Sequence, residues 1–354
     1  MSKRVIVGMS GGVDSAVAAL LLKKEGYEVI GVTLRTWESD DGSESRCCEI
    51  DDARDTARFL GIEYHAFNCL SDFRRHVVTP FVDAYLHGRT PNPCVNCNRF
   101  VKWERMIYYA NVLQADSIAT GHYASVVRLD NGRFTLQKAD YAQKDQTYML
   151  WRLTQEQLSR TLMPLGRMTK QAVRSIAEQA GLPVADKPDS QEICFVPDGS
   201  YADFVQSAAG IDAPQTGNFV DGQGNILGRH KGIIHYTVGQ RKGLGIALGE
   251  PIYVSEIRAD SNEVVLGNAD SLLRGEISCR RLNFMGIADL PIGKSITANV
   301  KIRYHDSGCN GTITRTGVDT VRISFDGKVR APAPGQSAVF YDASGCILGG
   351  GEIL

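Results

Sequence analysis

The sequence predicts an α/β protein: a parallel sheet with helices on both faces, followed by two small β-rich domains, the last a β-barrel. Three observations carry this. From residue 1 to about residue 190, short β-branched runs alternate with helical stretches, the pattern of strand-helix units that build a parallel sheet. After Ala213-Pro214 the texture changes to short β-prone pieces separated by glycine. A second such stretch runs from near Gly275 to the terminus. The expected domains are 1–205, 206–273 and 274–354.

Taken in order, Val5 to Met9 reads as a strand, Ala16 to Glu25 as a helix, Val29 to Thr33 as a strand, Asp51 to Leu60 as a helix and Glu63 to Phe67 as a strand. Helices are expected across Phe73 to Leu86 and Asn98 to Leu113, and a strand over Asp116 to Thr120 that ends in Gly121-His122-Tyr123. Residues 169 to 181 form an amphipathic helix capped by Thr169 and stopped by Gly181-Leu182-Pro183. The first domain closes near residue 200. Beyond it, Gly217 to Val220 and Pro251 to Ser255 are β-prone, and Ser295 to Arg303, Gly311 to Thr316, Thr320 to Phe325 and Ser337 to Tyr341 are the expected barrel strands. No internal repeat or low-complexity segment interrupts the chain.

The stretch Ser10-Gly11-Gly12-Val13-Asp14-Ser15 follows the first apolar run directly and resumes as the helical Ala16-Val17-Ala18-Ala19-Leu20. Glycine lets backbone approach an anion closely, and the turn's N–H groups with the helix dipole bind it. No Gly-Lys-Ser/Thr follows, which excludes a Walker loop. The string resembles the pyrophosphatase loop of ATP-dependent synthetases and thiolases, which cleave between the α and β phosphates and adenylate an oxygen. Strands of a parallel sheet present ligands at their C-terminal edge, where this loop and Gly121-His122-Tyr123 both lie.

With 354 residues, 43% apolar and 22% charged, the composition is that of a globular protein with proper cores. No apolar run follows a basic start and no window of about eighteen consecutive apolar residues exists, which argues against secretion and membrane spanning and for a cytosolic protein. A net charge of -1 excludes a uniformly basic nucleic-acid binder but not a local patch. Arg229-His230-Lys231, Arg241-Lys242, Arg280-Arg281 and Lys301 with Arg303 are the basic clusters, each by itself an ordinary solvated surface.

Nine cysteines, an odd number, do not form a secreted disulfide framework. Pro91-Asn92-Pro93-Cys94-Val95-Asn96-Cys97-Asn98 sets two thiols three apart on a proline-punctuated loop that runs into a helix, where the dipole stabilises the Cys97 thiolate. Cys194 lies in Asp186-Lys187-Pro188-Asp189-Ser190-Gln191-Glu192-Ile193-Cys194-Phe195, an ordered polar loop. A buried structural role is the ordinary one for an isolated cysteine and is assigned to Cys69, Cys279, Cys309 and Cys346, and more weakly to Cys47-Cys48.

These motifs, together with Thr90, Ala119-Thr120-Gly121-His122-Tyr123, Lys144-Asp145-Gln146, the run from His235 to Gly245 and the run from Pro334 to Tyr341, resemble the tRNA-specific 2-thiouridylase family over nearly the whole chain. The resemblance implies a pyrophosphatase-loop (adenine nucleotide alpha hydrolase-like) first domain, a central β-rich domain that binds tRNA, and a terminal β-barrel. It implies that ATP, with Mg2+, adenylates O2 of the wobble uridine (U34) in the anticodon loop, the pyrophosphate being held by Gly8, Met9, Ser10, Gly11, Gly12, Val13, Asp14 and Ser15, with Leu34 and Gly121 also at the nucleotide. A persulfide placed on Cys194 by an upstream donor, a cysteine desulfurase or a relay protein, then displaces AMP, and Cys97 frees the sulfur by closing a disulfide with Cys194. Asn92, Pro93, His122, Lys144, Asp145, Gln146, Arg303, Tyr304 and Gln336 match positions that touch the tRNA or its target base.

The chain departs from the most familiar family pattern at Cys94, a position that the resemblance sets beside the target base and where that pattern has aspartate. A third thiol beside Cys97 and Cys194 leaves three outcomes open: an iron–sulfur cluster such as [4Fe-4S] with one open iron, a zinc site, or competition for the disulfide. Two other functions compete with tRNA thiolation: a synthetase that adenylates a small molecule, which has no use for the two cysteine loops and the β-rich half, and a non-catalytic RNA-binding protein, for which an intact phosphate loop is unneeded.

Overall fold

The computed structural model describes residues 3–38, 49–188, 193–196, 201–246 and 249–354. Cys47, Cys48, Asp189 and Ser190, singled out above, lie outside the described residues. Strand β1 (Arg4–Gly8) carries Val5, Ile6 and Val7, all fully buried, the continuous apolar run of a strand covered on both faces. It is followed by α1 (Val13–Lys24), β2 (Glu28–Arg35), α2 (Ile50–Leu60) and β3 (Glu63–Asn68). Helix α2 ends where Gly61 takes a left-handed φ of 59°, the ordinary glycine stop.

The predicted helices across Phe73 to Leu86 and Asn98 to Leu113 are each built in pieces. The first comprises α3 (Leu70–Phe73), a π-turn Arg74–Val78 and α4 (Thr79–Leu86). The second starts earlier than expected, with α5 (Pro93–Asn96), continues through a π-turn Cys97–Lys102 and runs on as α6 (Trp103–Val112). Asn92 is the N-cap residue and Pro93 the first helical residue, a position where proline's missing N–H is not needed. Cys97 therefore lies one turn inside the helix rather than at its N-terminus, and Cys94 takes the first turn.

Strand β4 (Ser117–Ala119) is followed by a hairpin, β5 (Ala124–Arg128) and β6 (Phe134–Lys138), then α7 (Gln155–Ser159), β7 (Thr161–Leu162) and α8 (Lys170–Gln179). Thr169 caps α8, its hydroxyl accepting from the Ala172 N–H at 3.1 Å. The sheet order is β3-β2-β1-β4-β7, every pairing parallel. The order reverses between β1 and β4, and the crevice at the C-terminal ends of those two strands is where such sheets bind ligands.

After α9 (Tyr201–Ala209) come β8 (Gly217–Val220), β9 (Ile226–His230), β10 (Tyr253–Arg258) and β11 (Glu263–Gly267), a sheet of order β10-β11-β8-β9. The last part, β12 (Leu273–Phe284), β13 (Ser295–Lys301), β14 (Cys309–Gly317), β15 (Thr320–Arg330), β16 (Ser337–Tyr341) and β17 (Ile347–Ile353), closes into a barrel of order β12-β15-β14-β13-β16-β17. The four expected barrel strands are β13 to β16; β12 and β17 escape a reading of the sequence. In β17 the run Gly349-Gly350-Gly351 looks like a loop, yet a Cβ on Gly350 would lie 2.7 Å from the Trp151 ring and 2.9 Å from the Ala338 carbonyl oxygen. Glycine is there because another chain segment approaches closely.

That segment joins the first domain to the barrel. Trp151, 1% exposed, donates from its indole N–H to Ser337 Oγ at 2.9 Å, and the Tyr148 hydroxyl donates to the Ser337 carbonyl at 2.8 Å. Thr135 Oγ1 donates to the Ile347 carbonyl at 2.6 Å. Trp103, Tyr148 and Trp151 share one buried apolar cluster with the barrel residues Val339, Tyr341 and Ile347. Cys69, Cys279 and Cys346 are buried, as expected of structural thiols, and burial pushes the Cys279 thiol up to about 12. Cys309 is half-buried. Among the described residues no helix is long and apolar enough to cross a membrane.

Gly350→Ala is expected to destabilise the protein by about 1–3 kcal/mol through overpacking against Trp151. Gly327→Ala, where an added Cβ meets nothing within 4 Å, is the control and is expected to leave the melting midpoint unchanged or slightly raised. Thermal unfolding of both variants checks the difference.

Candidate active site

The phosphate loop is closed by its own hydroxyls. Ser15 Oγ accepts from the Ser10 N–H at 3.2 Å and donates to the Gly12 carbonyl at 3.0 Å, drawing the turn around the start of α1. Gly11 needs its left-handed φ of 79°, and a Cβ there would meet the Glu49 carbonyl oxygen at 2.7 Å. Helix α1 begins at Val13, three residues before the expected Ala16, which brings Asp14 and Ser15 into its first turn. Gly12 caps it in extended conformation with no side-chain hydrogen bond, so no side chain competes for the first-turn amides. That is the donor set a phosphate requires.

Gly121 faces this turn from the end of β4: an added Cβ would lie 2.7 Å from both the Asp14 carbonyl carbon and the Ser15 nitrogen. The Asp14 carboxylate accepts from the Tyr123 hydroxyl at 2.8 Å and from Lys170 Nζ at 2.8 and 2.9 Å. Leu34 is buried near the end of β2. Residue by residue, the expected nucleotide-binding set from Gly8 to Ser15, with Leu34 and Gly121, lies at the C-terminal ends of β1, β2 and β4 and in the turn they support.

His122 and Tyr123 connect this end to the rest. His122 Nδ1 is 2.9 Å from Thr120 Oγ1, and its ring lies 5.4 Å from that of Trp103, the residue that follows the Cys97 π-turn. Desolvation, with help from the Lys102 ammonium, holds the His122 imidazole far below its ordinary range, so it is neutral at physiological pH. The Tyr123 N–H donates to Gln146 Oε1 at 2.9 Å, and the Gln146 N–H donates back to the Tyr123 carbonyl at 3.0 Å. Asp145 is buried, accepting from the Ala139 N–H at 3.2 Å and from the Thr147 hydroxyl at 2.9 Å, while Lys144 is half-buried. Thr147 Oγ1 in turn lies 3.0 Å from the barrel's Tyr341 hydroxyl.

At the cysteine end, Asn92 Nδ2 is 3.3 Å from Met149 Sδ and Asn98 Nδ2 donates to the Met149 carbonyl at 3.1 Å. Gln336 reaches across from the barrel, its Nε2 donating to the Thr90 carbonyl at 2.9 Å, and the Thr90 N–H donates to the Pro334 carbonyl at 2.7 Å. Pro93 is buried and Cys94 exposed, while Cys97 is buried. Burial pushes the Tyr304 hydroxyl up, with the charges of Asp145 and Cys94 adding to the shift, and its ring lies 6.4 Å from that of Tyr148. Arg303 is exposed and donates to the Ala331 carbonyl. Cys194 is half-buried on a turn in which the Val196 N–H donates to the Ile193 carbonyl at 3.1 Å. The adjacent Phe195 inserts among Phe73, Phe81, Phe204 and Trp37, with ring centroids 5.4, 5.2, 5.3 and 6.0 Å away. Cys97 and Phe195 belong to the same buried cluster, with Cys194 packed against it.

A continuous line of hydrogen bonds thus runs from the phosphate loop to the cysteine-bearing helix: Asp14, Tyr123, Gln146, Met149 and Asn98. The contacts of three participants are not evident from the sequence. Lys170 opens a helix that reads as ordinarily amphipathic, Tyr123 follows the singled-out His122 as a plain aromatic, and Lys187 crosses from the Cys194 segment to Glu49 and Asp52, beside Gly11. The asparagine and proline at 92 and 93 are the available signal for the early start of the Cys94 helix.

Family models match nearly the whole length in three parts: a tRNA methyl transferase HUP domain over residues 3–198, a tRNA methyl transferase PRC-barrel domain over 203–268 and an aminomethyltransferase beta-barrel domain over 274–353. The tRNA-specific 2-thiouridylase MnmA of Lachnoclostridium phytofermentans is 51% identical over 99% of this chain and 99% of its own. That of Acetivibrio thermocellus is 49% identical over the same shares, and that of Clostridium perfringens 46% identical over 99% and 98%. A solved U34-tRNA thiolase from Methanococcus maripaludis with its [4Fe-4S] cluster is 19% identical, with a TM-score of 0.36 over 58% of this chain and 64% of that one, a likeness that carries no argument about this chain's thiols.

His122 binds a proton less readily in the folded protein than in the unfolded one, so it opposes folding as pH falls below its ordinary pKa of about 6.5. Between about pH 6.5 and 4 the wild-type melting temperature is expected to fall more steeply than that of His122→Asn, which cannot take up the proton. Parallel melts across that range give the comparison; identical slopes would show that His122 titrates normally.

Proposed function

The chain belongs to the tRNA-specific 2-thiouridylase family, and from that premise we propose how its residues make 2-thiouridine at the tRNA wobble position. The protein is a tRNA sulfurtransferase that uses ATP, and a synthetase acting on a small molecule is not favoured. An adenylating loop suits thiolation, in which an oxygen must leave; methyl transfer, named in two of the family descriptions, has no use for it. The reading of the site rests on one observation: the unbroken hydrogen bonds from Asp14 through Tyr123, Gln146 and Met149 to Asn98, which join an anion-binding turn to a cysteine-bearing helix.

In this reading the turn from Gly8 to Ser15 holds the β and γ phosphates of ATP, with Mg2+ accompanying the nucleotide as part of the substrate. Gly121 keeps the approach open. The uridine, flipped from the anticodon loop, where unstacking costs little, enters beside Tyr304, Asn92 and the neutral His122. Its O2 attacks the α phosphorus, the new O–P bond forming as pyrophosphate leaves. The terminal sulfur of a Cys194 persulfide then attacks C2, and the C2–O bond breaks with AMP carrying the oxygen away. Cys97 thiolate attacks the Cys194 sulfur, leaving the outer sulfur on C2 and a Cys97–Cys194 disulfide. An external reductant supplies two electrons to reopen it. A persulfide donor, a desulfurase or a relay protein, loads Cys194, and the reaction takes place in the cytoplasm with its tRNA.

A metal centre does not fit the thiols as they stand. Among the described residues no three His, Cys, Asp or Glu side chains are grouped to hold a metal ion, and Cys94 is exposed where Cys97 is buried. No step passes through a cluster or a zinc ion, and Cys94 has no part in the chemistry. Asp145, Gln146 and Gln336, expected at the tRNA or its base, are each held by hydrogen bonds to protein.

Cys194→Ser is expected to abolish 2-thiouridine formation from ATP, tRNA and a persulfide source while a single round of pyrophosphate release persists; thiolation at the normal rate would contradict the persulfide role. Gly121→Ala is expected to raise the KM for ATP by about tenfold or more, the loss of one or two charged hydrogen bonds, with the KM for tRNA unchanged. Cys94→Ala should retain most thiolation in protein containing no iron, which nucleoside analysis and iron assay together report.

A further inference from the structure

On the barrel side of the Cys94 helix lies a cleft of about 100 Å3 whose walls include Arg89, Asn92, Asn96, Arg152, Arg281 and Glu352. Two of its three arginines are committed. Arg89 pairs with Asp83 at 3.0 Å and Arg281 with Glu352 at 2.8 Å. Arg152 forms no ion pair among the described residues. Its Nη1 donates to Asn96 Oδ1 at 2.8 Å, and its guanidinium lies 4.9 Å from the Phe100 ring and 5.7 Å from that of Trp151. Burial lowers its pKa, although a guanidinium stays charged.

An ammonium in this place would swing freely; a guanidinium stacked on two rings presents its remaining N–H donors as a rigid fork. A partly desolvated cation with unfilled donors calls for an anion with paired oxygens, and a phosphate matches the fork. The two acids of the cleft are already neutralised by Arg89 and Arg281, so they do not repel one. Asn96, the acceptor on Arg152, sits between Cys94 and Cys97 in the chain. The occupant would therefore be held by a side chain fixed to the helix that bears both thiols.

We propose that this cleft is a backbone-phosphate subsite for the RNA strand, with Arg152 gripping a single phosphate beside the flipped uridine and so setting the register of the anticodon loop against Cys97. The proposal rests on the tRNA-thiolation reading above. It adds a binding residue whose neighbours alone reveal it: Arg152 stands in no motif.

The test uses full-length protein and anticodon stem-loop RNAs in which single phosphates around the target uridine are replaced by neutral methylphosphonates. At one position the replacement is expected to weaken wild-type binding about tenfold, the value of a charged hydrogen bond, and to have no further effect on Arg152→Gln. The slope of log Kd against log salt should fall by about 0.7 to 1 in Arg152→Gln and stay unchanged in Arg152→Lys, which keeps the charge but loses the fork. Thermal melts establish that each variant folds. If Arg152→Gln does not fold, a smaller penalty at that same position in Arg152→Lys carries the test. Additive penalties at every position would overturn the proposal. So would unchanged RNA affinity with a lowered kcat, which would make Arg152 a prop for Asn96, or unchanged RNA affinity with weaker binding of the sulfur donor. Wild-type thiolation of tRNA in the same preparation separates these outcomes: if it fails, the functional reading falls, and if it holds, only the subsite is in question.

Discussion

Everything at the sulfur end of this molecule depends on how tightly the first domain is seated on the last. Trp151 is pressed against Gly350, with its indole N–H on Ser337, and only a missing side chain makes room for it. From the same side of the barrel Gln336 holds the Thr90–Pro91 carbonyls that lead into the Cys94 helix. The barrel is in this sense a wall of the crevice. A helix whose entry is gripped from another domain cannot drift relative to the sheet, and its thiols keep their distance from the phosphate loop.

The crevice separates two tasks. The strand end at β1 and β4 supplies backbone N–H groups and glycines, which bind charge without reacting with it. The far end supplies thiols on two supports of different kind. Cys97 is fixed in a helix, while Cys194 sits on a short turn whose Phe195 is buried among aromatic rings. In the proposed mechanism a sulfur carrier must be reached by a donor and then reach a base, which a half-buried turn such as that of Cys194 allows. The proposed resolving thiol only has to wait, and a helix suits that. Between the ends stand groups that are held neutral or internally paired, notably His122 and Asp145, so the base meets few charges that would compete with its activation.

Where the signal was local, the sequence was legible. Apolar strands, the loop from Ser10 to Ser15, the Thr169 cap and the four alternating barrel strands follow from propensity and period alone. What was not legible depended on distant partners. The glycines of β17 look like a turn until Trp151 is placed against them. The helix bearing Cys94 looks like a loop because its prolines suggest one, although Asn92-Pro93 is also a helix start. The site residues named from the resemblance divide in the same way: the loop and Gly121 meet as their motif implies, whereas Asp145, Gln146 and Gln336 make their hydrogen bonds to protein, which no motif reveals. Lys170 and Arg152 could be found only through their neighbours.

In the proposed mechanism ATP activates the base by taking over its O2. The direct measurement is an isotopic one: tRNA carrying 18O at O2 of the target uridine, ATP, and a persulfide source are turned over once, and the AMP is examined by mass spectrometry. One 18O atom per AMP, matched by one 2-thiouridine, is the predicted result. Unlabelled AMP alongside thiolated tRNA would contradict it, because the oxygen would then have left by another route.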